Sequence, residues 1–275
     1  MLVIKVIMAE VDYAALSTQA GEYTWPIVVC LFGQFRVLKA GRPIAIHGAK
    51  AGGLLSRLGL QHDRHVPRDT ILETLWPGHD PALAGQSLNS LIYSLRKSLG
   101  DEIHGDAPIL HQDGSYRLNK EAGVGVDLAH FEDLIQVGDQ YVLSNNLLAA
   151  TPFYVQAVQL YRGDLCTGTD VDAAVERERL RAHFLSLLAH LADHNFSTHD
   201  YPLCLHYAER LLRHDACRED AHRLVMRCYV RQGERAQALR QYRLCVNILR
   251  AEFDAAPERR TTLLYDQVRL DPDTV

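Results

Sequence analysis

Amide, hydroxyl, aromatic and cationic side chains recur along one side of a predicted helix in the first half of the chain. The stripe consists of Gln86, Asn89, Ser90, Tyr93 and Lys97, with Arg96 at its edge. Amides can form hydrogen bonds with adenine edges, and Arg and Lys can reach guanine or phosphate. Hydroxyls can bond to bases or to phosphates. This composition suits a DNA major groove, although a helix face that simply meets solvent has similar residues.

The other side of the same helix is apolar. The positions predicted to be buried follow helical spacing, and they are Leu88, Leu91, Ile92, Leu95 and Leu99. The helix is predicted to start near Leu83, and Gly100 stands where a C-terminal glycine cap belongs. Because its apolar side must rest on a core, neighbouring elements have to hold the polar side outward.

The neighbouring elements are short strands and helices. Three strands are predicted at 27–32, 35–38 and 44–46, followed by helices at 50–60 and 68–76. After the polar helix, residues 109–112 and 115–118 form a hairpin around an Asp-Gly turn. The order of three strands, three helices and a hairpin predicts a small α+β domain over 27–120.

Two further groups are candidates for phosphate or groove contacts. Lys50 begins the first helix, where free backbone amides favour an anion. Ser115 and Arg117 lie on the hairpin, which would reach an adjacent minor groove as a wing. We expect Trp76, on an apolar helix face, to anchor the core rather than to stack on bases.

The second half of the chain is predicted to be helical. The Gly-rich segment 119–126 is the expected domain boundary. Beyond it, helices are predicted at 128–137, 146–161, 172–195, 200–213, 217–231, 234–252 and 258–269, with breaks at Gly163, Pro202, Gly233 and Pro257. Pairs of these helices show the pattern of tetratricopeptide-like (TPR-like) stacking. Residues 1–26 have no clear period and are interpreted as a poorly ordered lead-in or an extra edge strand.

Length, charge and cysteine content fit a globular cytoplasmic protein. The 275 residues are enough for two domains, and the net charge is −5. Residues 26–120 hold 11 Lys+Arg against 8 Asp+Glu, whereas residues 121–275 hold 17 against 23. A modest local excess of positive charge favours a site-specific DNA reader over a protein that coats nucleic acid. No apolar run approaches a membrane span, and six scattered cysteines predict reduced, buried thiols.

Motifs in both halves resemble one known family. In the first half they are Leu31-Phe32-Gly33, Gly41-Arg42-Pro43, Leu75-Trp76-Pro77, Leu95-Arg96-Lys97-Ser98-Leu99-Gly100 and Gly114-Ser115-Tyr116-Arg117-Leu118. In the second half they are Val126-Asp127-Leu128, Leu160-Tyr161-Arg162-Gly163-Asp164-Leu165 and the segment from Gln232 to Tyr242. Together they resemble the antibiotic regulatory protein (SARP) family, which joins an OmpR-type winged helix to a bacterial transcriptional activation domain.

The resemblance implies a fold and a function. The fold is an α+β winged helix at 27–120 followed by an all-α TPR-like domain at 126–270. The function is a DNA-binding activator that docks as a homodimer on direct repeats of double-stranded DNA and recruits RNA polymerase holoenzyme. The implied DNA contacts are Asn89, Ser90, Tyr93, Arg96, Lys97, Ser115 and Arg117, and the implied polymerase-facing loop begins with Pro77, Gly78, His79 and Asp80.

Some positions depart from the family pattern and keep an alternative open. Gly52 and Gly53 fall early in the first helix, where they weaken it, and Ser94 stands where relatives commonly carry Arg. The alternative hypothesis is therefore a protein-interaction adapter whose winged helix has lost specific DNA affinity.

Enzyme and cofactor chemistry find little support in the sequence. No phosphate-binding glycine loop and no G-x-S-x-G motif occurs, so neither an enzyme nor a cofactor is expected. His190 and His194 have the spacing of a helical metal pair but lack the Glu of H-E-x-x-H, so a structural role is favoured.

Overall fold

A computed structural model describes residues 25–100, 105–166 and 171–275. The chain divides into two compact units, one running up to Leu180 and the other comprising Arg181–Val275. The strands are β1 (Ile27–Cys30), β2 (Arg36–Lys39), β3 (Arg42–Ile44), β4 (Val66–Pro67), β5 (Ile109–Gln112), β6 (Ser115–Leu118) and β7 (Val124–Val126). The helices are α1 (Ala49–Leu60), α2 (Arg68–Leu75), α3 (Pro81–Leu99), α4 (Asp127–Leu143), α5 (Leu147–Leu160), α6 (Val171–Ser197), α7 (Tyr201–His214), α8 (Glu219–Arg231), α9 (Arg235–Phe253) and α10 (Arg259–Leu270).

Two small sheets frame the first three helices. One has the order β3-β2-β1-β7, in which β1 and β2 are antiparallel and β1 and β7 are parallel. The other has the order β4-β6-β5 and contains the predicted hairpin, with Ile109 opposite Leu118. The predicted winged-helix arrangement of strands, three helices and hairpin is confirmed.

The ends of α3 follow ordinary capping chemistry. The Asp80 carboxylate accepts hydrogen bonds from the N–H groups of Ala82 and Leu83 at 2.9 and 3.0 Å, and Pro81 occupies the first turn. At the other end, Gly100 has φ +119° and donates its N–H to the Arg96 carbonyl. The helix begins at Pro81, slightly before the predicted start, because this cap precedes the first apolar residue.

Several details differ from the sequence prediction. The first strand ends at Cys30 instead of Phe32. The third strand runs from Arg42 to Ile44 instead of 44–46, because these three residues are the ones that pair with β2. The short strand β4 was not predicted, and it pairs Val66 with Tyr116 of the hairpin. Part of the Gly-rich segment 119–126 is the strand β7, whose residues are all buried beside β1. The domain boundary predicted there stays a prediction.

Asp127 connects the first sheet to the helices that follow it. Its side chain is buried, and Oδ1 accepts hydrogen bonds from the Leu31 and Leu128 N–H groups at 2.8 Å each, while Oδ2 accepts one from the Phe32 N–H at 3.1 Å. Burial outweighs these bonds and raises the pKa of the carboxyl to about 6. One carboxylate thus satisfies backbone donors at the end of β1 and at the start of α4.

The core of the first unit gathers around that junction. Phe32 packs edge-on against Phe131 of α4 with ring centroids 5.3 Å apart, and Tyr161 lies 4.8 Å from Phe32. The helices α4 and α5 approach closely at Gly138, where a side chain would collide with the Tyr154 ring. The Tyr154 hydroxyl donates a 2.6 Å hydrogen bond to Asp139. These contacts make α4 and α5 a tight pair on the sheet.

The second unit is made of paired helices, as predicted. α7 contacts α8, α8 contacts α9, and α9 contacts α10, around a core cluster of Met226, Ala238, Leu264 and Val268. All seven predicted helices are present in the chain, and their bounds agree closely with the prediction except that the first continues to Leu143. Pro202 does not interrupt a helix but lies in the first turn of α7, where its missing N–H is not needed.

The cysteines are all free thiols, and their burial is mixed. Cys30, Cys204, Cys228 and Cys245 are buried, Cys217 is half-buried and Cys166 is exposed, so the prediction of buried thiols is wrong for Cys166. The Cys228 thiol donates to the Cys204 sulfur across 3.2 Å, and this contact together with burial raises the pKa of Cys204. A thiol held in this form is a poor nucleophile.

We predict that Asp127→Ala lowers the free energy of unfolding by about 3 kcal/mol, because three buried N–H groups lose their acceptor. Asp133→Ala, an exposed carboxylate on the same helix, should change it by less than about 0.5 kcal/mol. Urea denaturation followed by circular dichroism measures both. Equal stability of the two variants would contradict the role given to Asp127.

The raised pKa of Asp127 also predicts a pH dependence. The folded state holds the proton up to about pH 6, whereas the unfolded chain releases it near the ordinary value of 3.8. The contribution of this group to stability is therefore largest at the acidic end and is lost as the pH rises from about 4 to about 6. Asp127→Asn cannot titrate, so the stability of the wild type relative to this variant should fall over that interval. A difference that stays constant or rises would contradict the prediction.

Candidate nucleic-acid interface

The helix α3 has one buried and one exposed side. Leu88, Ile92, Leu95 and Leu99 are buried on the core side. The exposed residues, here called the polar face, are Gln86, Asn89, Ser90, Tyr93 and Lys97. Tyr93 is 71% exposed, which is a high value for an aromatic residue on a helix that packs against a core. The predicted division of α3 into two sides is confirmed, whereas contact of the polar face with DNA stays a prediction.

Hydroxyl groups on the exposed side of α3 bond back to the helix. Ser90 donates to the Gln86 carbonyl at 3.1 Å, Ser87 to the Leu83 carbonyl at 3.0 Å and Ser98 to the Ser94 carbonyl at 3.1 Å. With their protons used in this way, these hydroxyls offer only lone pairs to a partner. The outward donors of the polar face are therefore its amides, the Tyr93 hydroxyl and the Lys97 ammonium.

Arg96 lies at the edge of the polar face, and its guanidinium bonds inward. Its side chain is half-buried, and Nη2 donates a 2.7 Å hydrogen bond to the Ile109 carbonyl at the start of β5. This bond ties the last turn of α3 to the hairpin. The structure thus gives Arg96 a role in holding the hairpin against the helix, and its contact with DNA stays a prediction.

Ser115 and Arg117 on the hairpin are both half-buried and have different partners. Ser115 is half-buried and pairs with Pro67 and Gln112 in the sheet. Arg117 forms an ion pair with Glu121 at 3.1 Å. A hydrogen bond from its own backbone N–H lowers the pKa of the Glu121 carboxyl, and the ion pair with Arg117 lowers it further. Glu121 is well exposed, and such pairs contribute little to stability, so Arg117 can exchange this partner for a phosphate at small cost.

Lys50 and Trp76 lie together at the start of α1. The Lys50 ammonium lies 4.5 Å from the centroid of the Trp76 ring, while the lysine as a whole is exposed. Trp76 is buried, which confirms its predicted place in the core. The cation–π contact fixes where the Lys50 charge is held.

A cation beside α3 was missed by the sequence reasoning. Arg68 begins α2, and its Nη2 lies only 2.5 Å from where a Cβ on Gly85 would be. The backbone N–H of Arg68 donates to the Gly114 carbonyl in the hairpin turn at 2.9 Å. A glycine inside the strongly helical run of α3 was the available signal, since it makes room for a side chain from another element.

The predicted polymerase-facing loop is exposed from Pro77 to Asp80. Gly78 has φ +72°, a conformation that favours glycine, and Asp80 caps α3. Polymerase contact by this loop stays a prediction.

An ionic network lies at the base of the hairpin, within the first unit. Lys120, just after β6, bonds to Asp63 at 3.0 Å, and His62 bridges Asp63 at 2.8 Å and Glu132 of α4 at 3.0 Å. Arg179 of α6 pairs with the same Glu132. Burial alone would raise the pKa of Glu132, but hydrogen bonds from His62 and Arg179 outweigh it and lower that pKa. The hairpin base is thereby linked to α4 and α6.

The described residues contain neither a metal cluster nor a membrane-spanning helix. Within residues 25–100, 105–166 and 171–275, no three His, Cys, Asp or Glu side chains come together as metal ligands. No helix in that described part of the chain combines the length and the apolar character required to span a bilayer.

Comparisons with known proteins agree with this architecture. A family model of the bacterial transcriptional activator domain matches residues 126–269. The fold is similar to Mycobacterium tuberculosis EmbR in complex with a low-affinity phosphopeptide, at 19% identity and TM-score 0.65, covering 91% of this chain and 68% of that one. The family match and this likeness confirm the resemblance to the antibiotic regulatory proteins.

Weaker likenesses involve TPR proteins. One is the C-terminal TPR-containing domain of a Plasmodium falciparum FK506-binding protein, at 14% identity and TM-score 0.39, covering 54% of this chain and 91% of that one. Another is the TPR2AB domain of yeast Sti1 in complex with an HSP90 peptide, at 14% identity and TM-score 0.34, covering 79% and 70%. The search of curated proteins finds no match.

We predict that Arg96→Ala lowers the free energy of unfolding by about 1 kcal/mol, because the half-buried bond to Ile109 is lost. The neighbouring Lys97→Ala, on the exposed side, should change it by less than about 0.5 kcal/mol. Thermal and urea denaturation of both variants measure the difference. If Arg96→Ala left stability unchanged, the role given to its bond with Ile109 would be wrong.

Proposed function

Because the chain belongs to the bacterial transcriptional activator domain family, as an activator of the SARP type, we propose that it binds double-stranded DNA through α3. The hairpin would act as the wing, and the loop from Pro77 to Asp80 would contact RNA polymerase holoenzyme. The observation that carries this proposal is the polar face of α3. Its side chains project from a helix whose opposite side is buried and whose ends are capped. Such a helix presents groups to a groove without having to fold on binding.

The polar face favours A·T pairs. Gln86 and Asn89 carry amides, which pair bidentately with adenine in the major groove. Leu83 is 63% exposed at the start of the same helix, and with Tyr93 it offers apolar contact to thymine methyl groups. The bidentate partner of guanine is arginine, and Arg96 is bound to the Ile109 carbonyl. We therefore expect the bases under Gln86 and Asn89 to be adenines.

Phosphate contacts would come from cations around α3. Lys97 lies on its last turn, Arg68 lies against Gly85, and Lys50 and Arg117 lie on neighbouring elements. Ser115 would add a hydroxyl at the wing. Phosphate contacts position the protein and base contacts specify the sequence, so this set complements the polar face.

Other parts of the proposal follow from the family. We propose a winged-helix domain at 27–120, a TPR-like activation domain at 126–270, a homodimer on repeated sites and a cytoplasmic location. The lead-in 1–26 lies outside the described residues except for Trp25 and Pro26. Regulators of this kind act by binding, so no cofactor and no catalytic residue is proposed.

One observation favours the protein-interaction adapter as a second candidate. Lys97 is the cationic member of the polar face, while Arg96 and Arg117 both have partners within the protein. A weakly cationic face would suit an adapter whose helical domain binds the partner. Selection of duplexes from a random pool, followed by a binding titration, separates the two candidates.

We predict that the purified chain enriches A·T-rich duplexes from a random pool and binds the selected duplex saturably in fluorescence polarisation. Asn89→Ala should weaken binding to that duplex roughly tenfold or more, because a bidentate base contact is lost. Lys97→Ala should reduce the slope of log K against log salt by about 1.

Asn247→Ala serves as the matched control, since it removes an exposed asparagine from α9 in the other unit. It should bind like the wild type. If the wild type bound all duplexes equally weakly, the adapter would replace the activator. If Asn89→Ala bound as tightly as the wild type, α3 would not be the reading element.

A further inference from the structure

A cavity of about 620 Å³ lies beside α1 within the first unit. Apolar side chains dominate its lining, among them Phe35, Ile46, Leu60 and Leu75. Ligand pockets in proteins commonly measure 300–1,000 Å³ and combine an apolar lining with a few polar groups. The cavity is separate from the polar face, and neither DNA readout nor polymerase contact uses it.

Two consecutive glycines form part of the cavity wall. Gly52 and Gly53 lie in the first half of α1, where each costs about 1 kcal/mol of helix stability relative to Ala. The helix is nevertheless regular from Ala49 to Leu60, so the cost is offset by what the glycines allow. A Cβ on Gly52 would lie 3.4 Å from the Phe35 ring, and a Cβ on Gly53 would lie 3.2 Å from a Leu75 methyl. A side chain at Gly53 would require Leu75 to shift, whereas one at Gly52 would meet the Phe35 ring at van der Waals distance.

Ser56 supplies a polar group on the same wall. It lies one turn after Gly52 and Gly53, lines the cavity, and is 8% exposed. Within the described part of the chain, its hydroxyl has no hydrogen-bond partner, unlike the back-bonded serines of α3. The hydroxyl is accessible from the cavity, and a ligand group that bonds to it would replace the water that it otherwise meets. Arg57 also lines the cavity but already has an interaction partner.

From these observations we propose that the cavity binds a small, uncharged, largely apolar molecule with one hydrogen-bonding group. The apolar part, a ring system or a short acyl chain, contacts Phe35, Leu75 and the bare backbone of Gly52 and Gly53. The hydrogen-bonding group meets the Ser56 hydroxyl. Binding at this cavity does not depend on whether α3 reads DNA.

The position of the cavity suggests what an occupant would influence. Leu75 ends α2 and is followed by Trp76, which lies under Lys50, and then by the loop from Pro77 to Asp80. A molecule against Leu75 would therefore contact the element that leads into this loop. That consequence for regulation rests on the proposed function, whereas the binding itself does not.

The test uses two neutral fluorescent probes that differ in one hydrogen-bonding group. N-phenyl-1-naphthylamine has an N–H, and 1-phenylnaphthalene has none. The wild type should bind both saturably with one site in a fluorescence titration. Gly53→Leu places a side chain in the cavity and should weaken both probes roughly tenfold or more. Ala174→Leu, on the exposed side of α6, is the matched control and should bind like the wild type.

Ser56→Ala provides a second variant that removes only the hydroxyl. It should weaken N-phenyl-1-naphthylamine about fivefold, the size of one hydrogen bond, and leave 1-phenylnaphthalene unchanged. Circular dichroism confirms that each variant is folded. The proposal is overturned if the wild type binds neither probe saturably or if folded Gly53→Leu binds the probes as tightly as the wild type. It is also overturned if Ser56→Ala changes the affinities for the two probes by the same factor.

Discussion

The buried carboxylate of Asp127 is the interaction on which the first unit depends. At the end of β1, the chain leaves the sheet and the N–H groups of Leu31 and Phe32 turn towards α4. Buried backbone donors must find acceptors, and here a single side chain serves both of them and the first turn of α4 as well. Since α4 starts at this point, the placement of Phe131 against Phe32 and of Glu132 beside His62 follows from it.

The polar face of α3 depends on a second, smaller set of contacts. The helix is capped by Asp80 at one end and Gly100 at the other, and Arg96 bonds its last turn to the hairpin. Lys120 at the hairpin base is joined to α4 through Asp63, His62 and Glu132. Base readout requires side chains held in register with the groove, and these contacts fix the helix and the wing relative to one another.

The sequence predicted well what depends on local periodicity. The two-sided pattern of α3, the Asp-Gly hairpin and the helices of the second half are strong signals, because each is encoded within a few turns of chain. The strands β4 and β7 escaped because they are only two and three residues long and exist through partners far along the sequence. The same reason applies to single residues. Arg96 lies at the edge of a polar stripe, and only the position of Ile109 shows that its guanidinium is bonded inward.

The charge of the first unit bears on the proposed binding to DNA. Residues 26–120 have a formal excess of three positive charges, but Arg117 pairs with Glu121, Lys120 pairs with Asp63, and Arg96 bonds to a carbonyl. Non-specific affinity comes from neutralised phosphates, so Lys120 and Arg96, which are engaged within the protein, would add little to the binding of arbitrary sequences. If DNA is bound as proposed, selectivity would come from the amides and apolar groups of α3, which gain energy only against matching bases. Weak binding to other sequences would keep the ratio of specific to non-specific affinity high even with few phosphate contacts, because that ratio defines specificity.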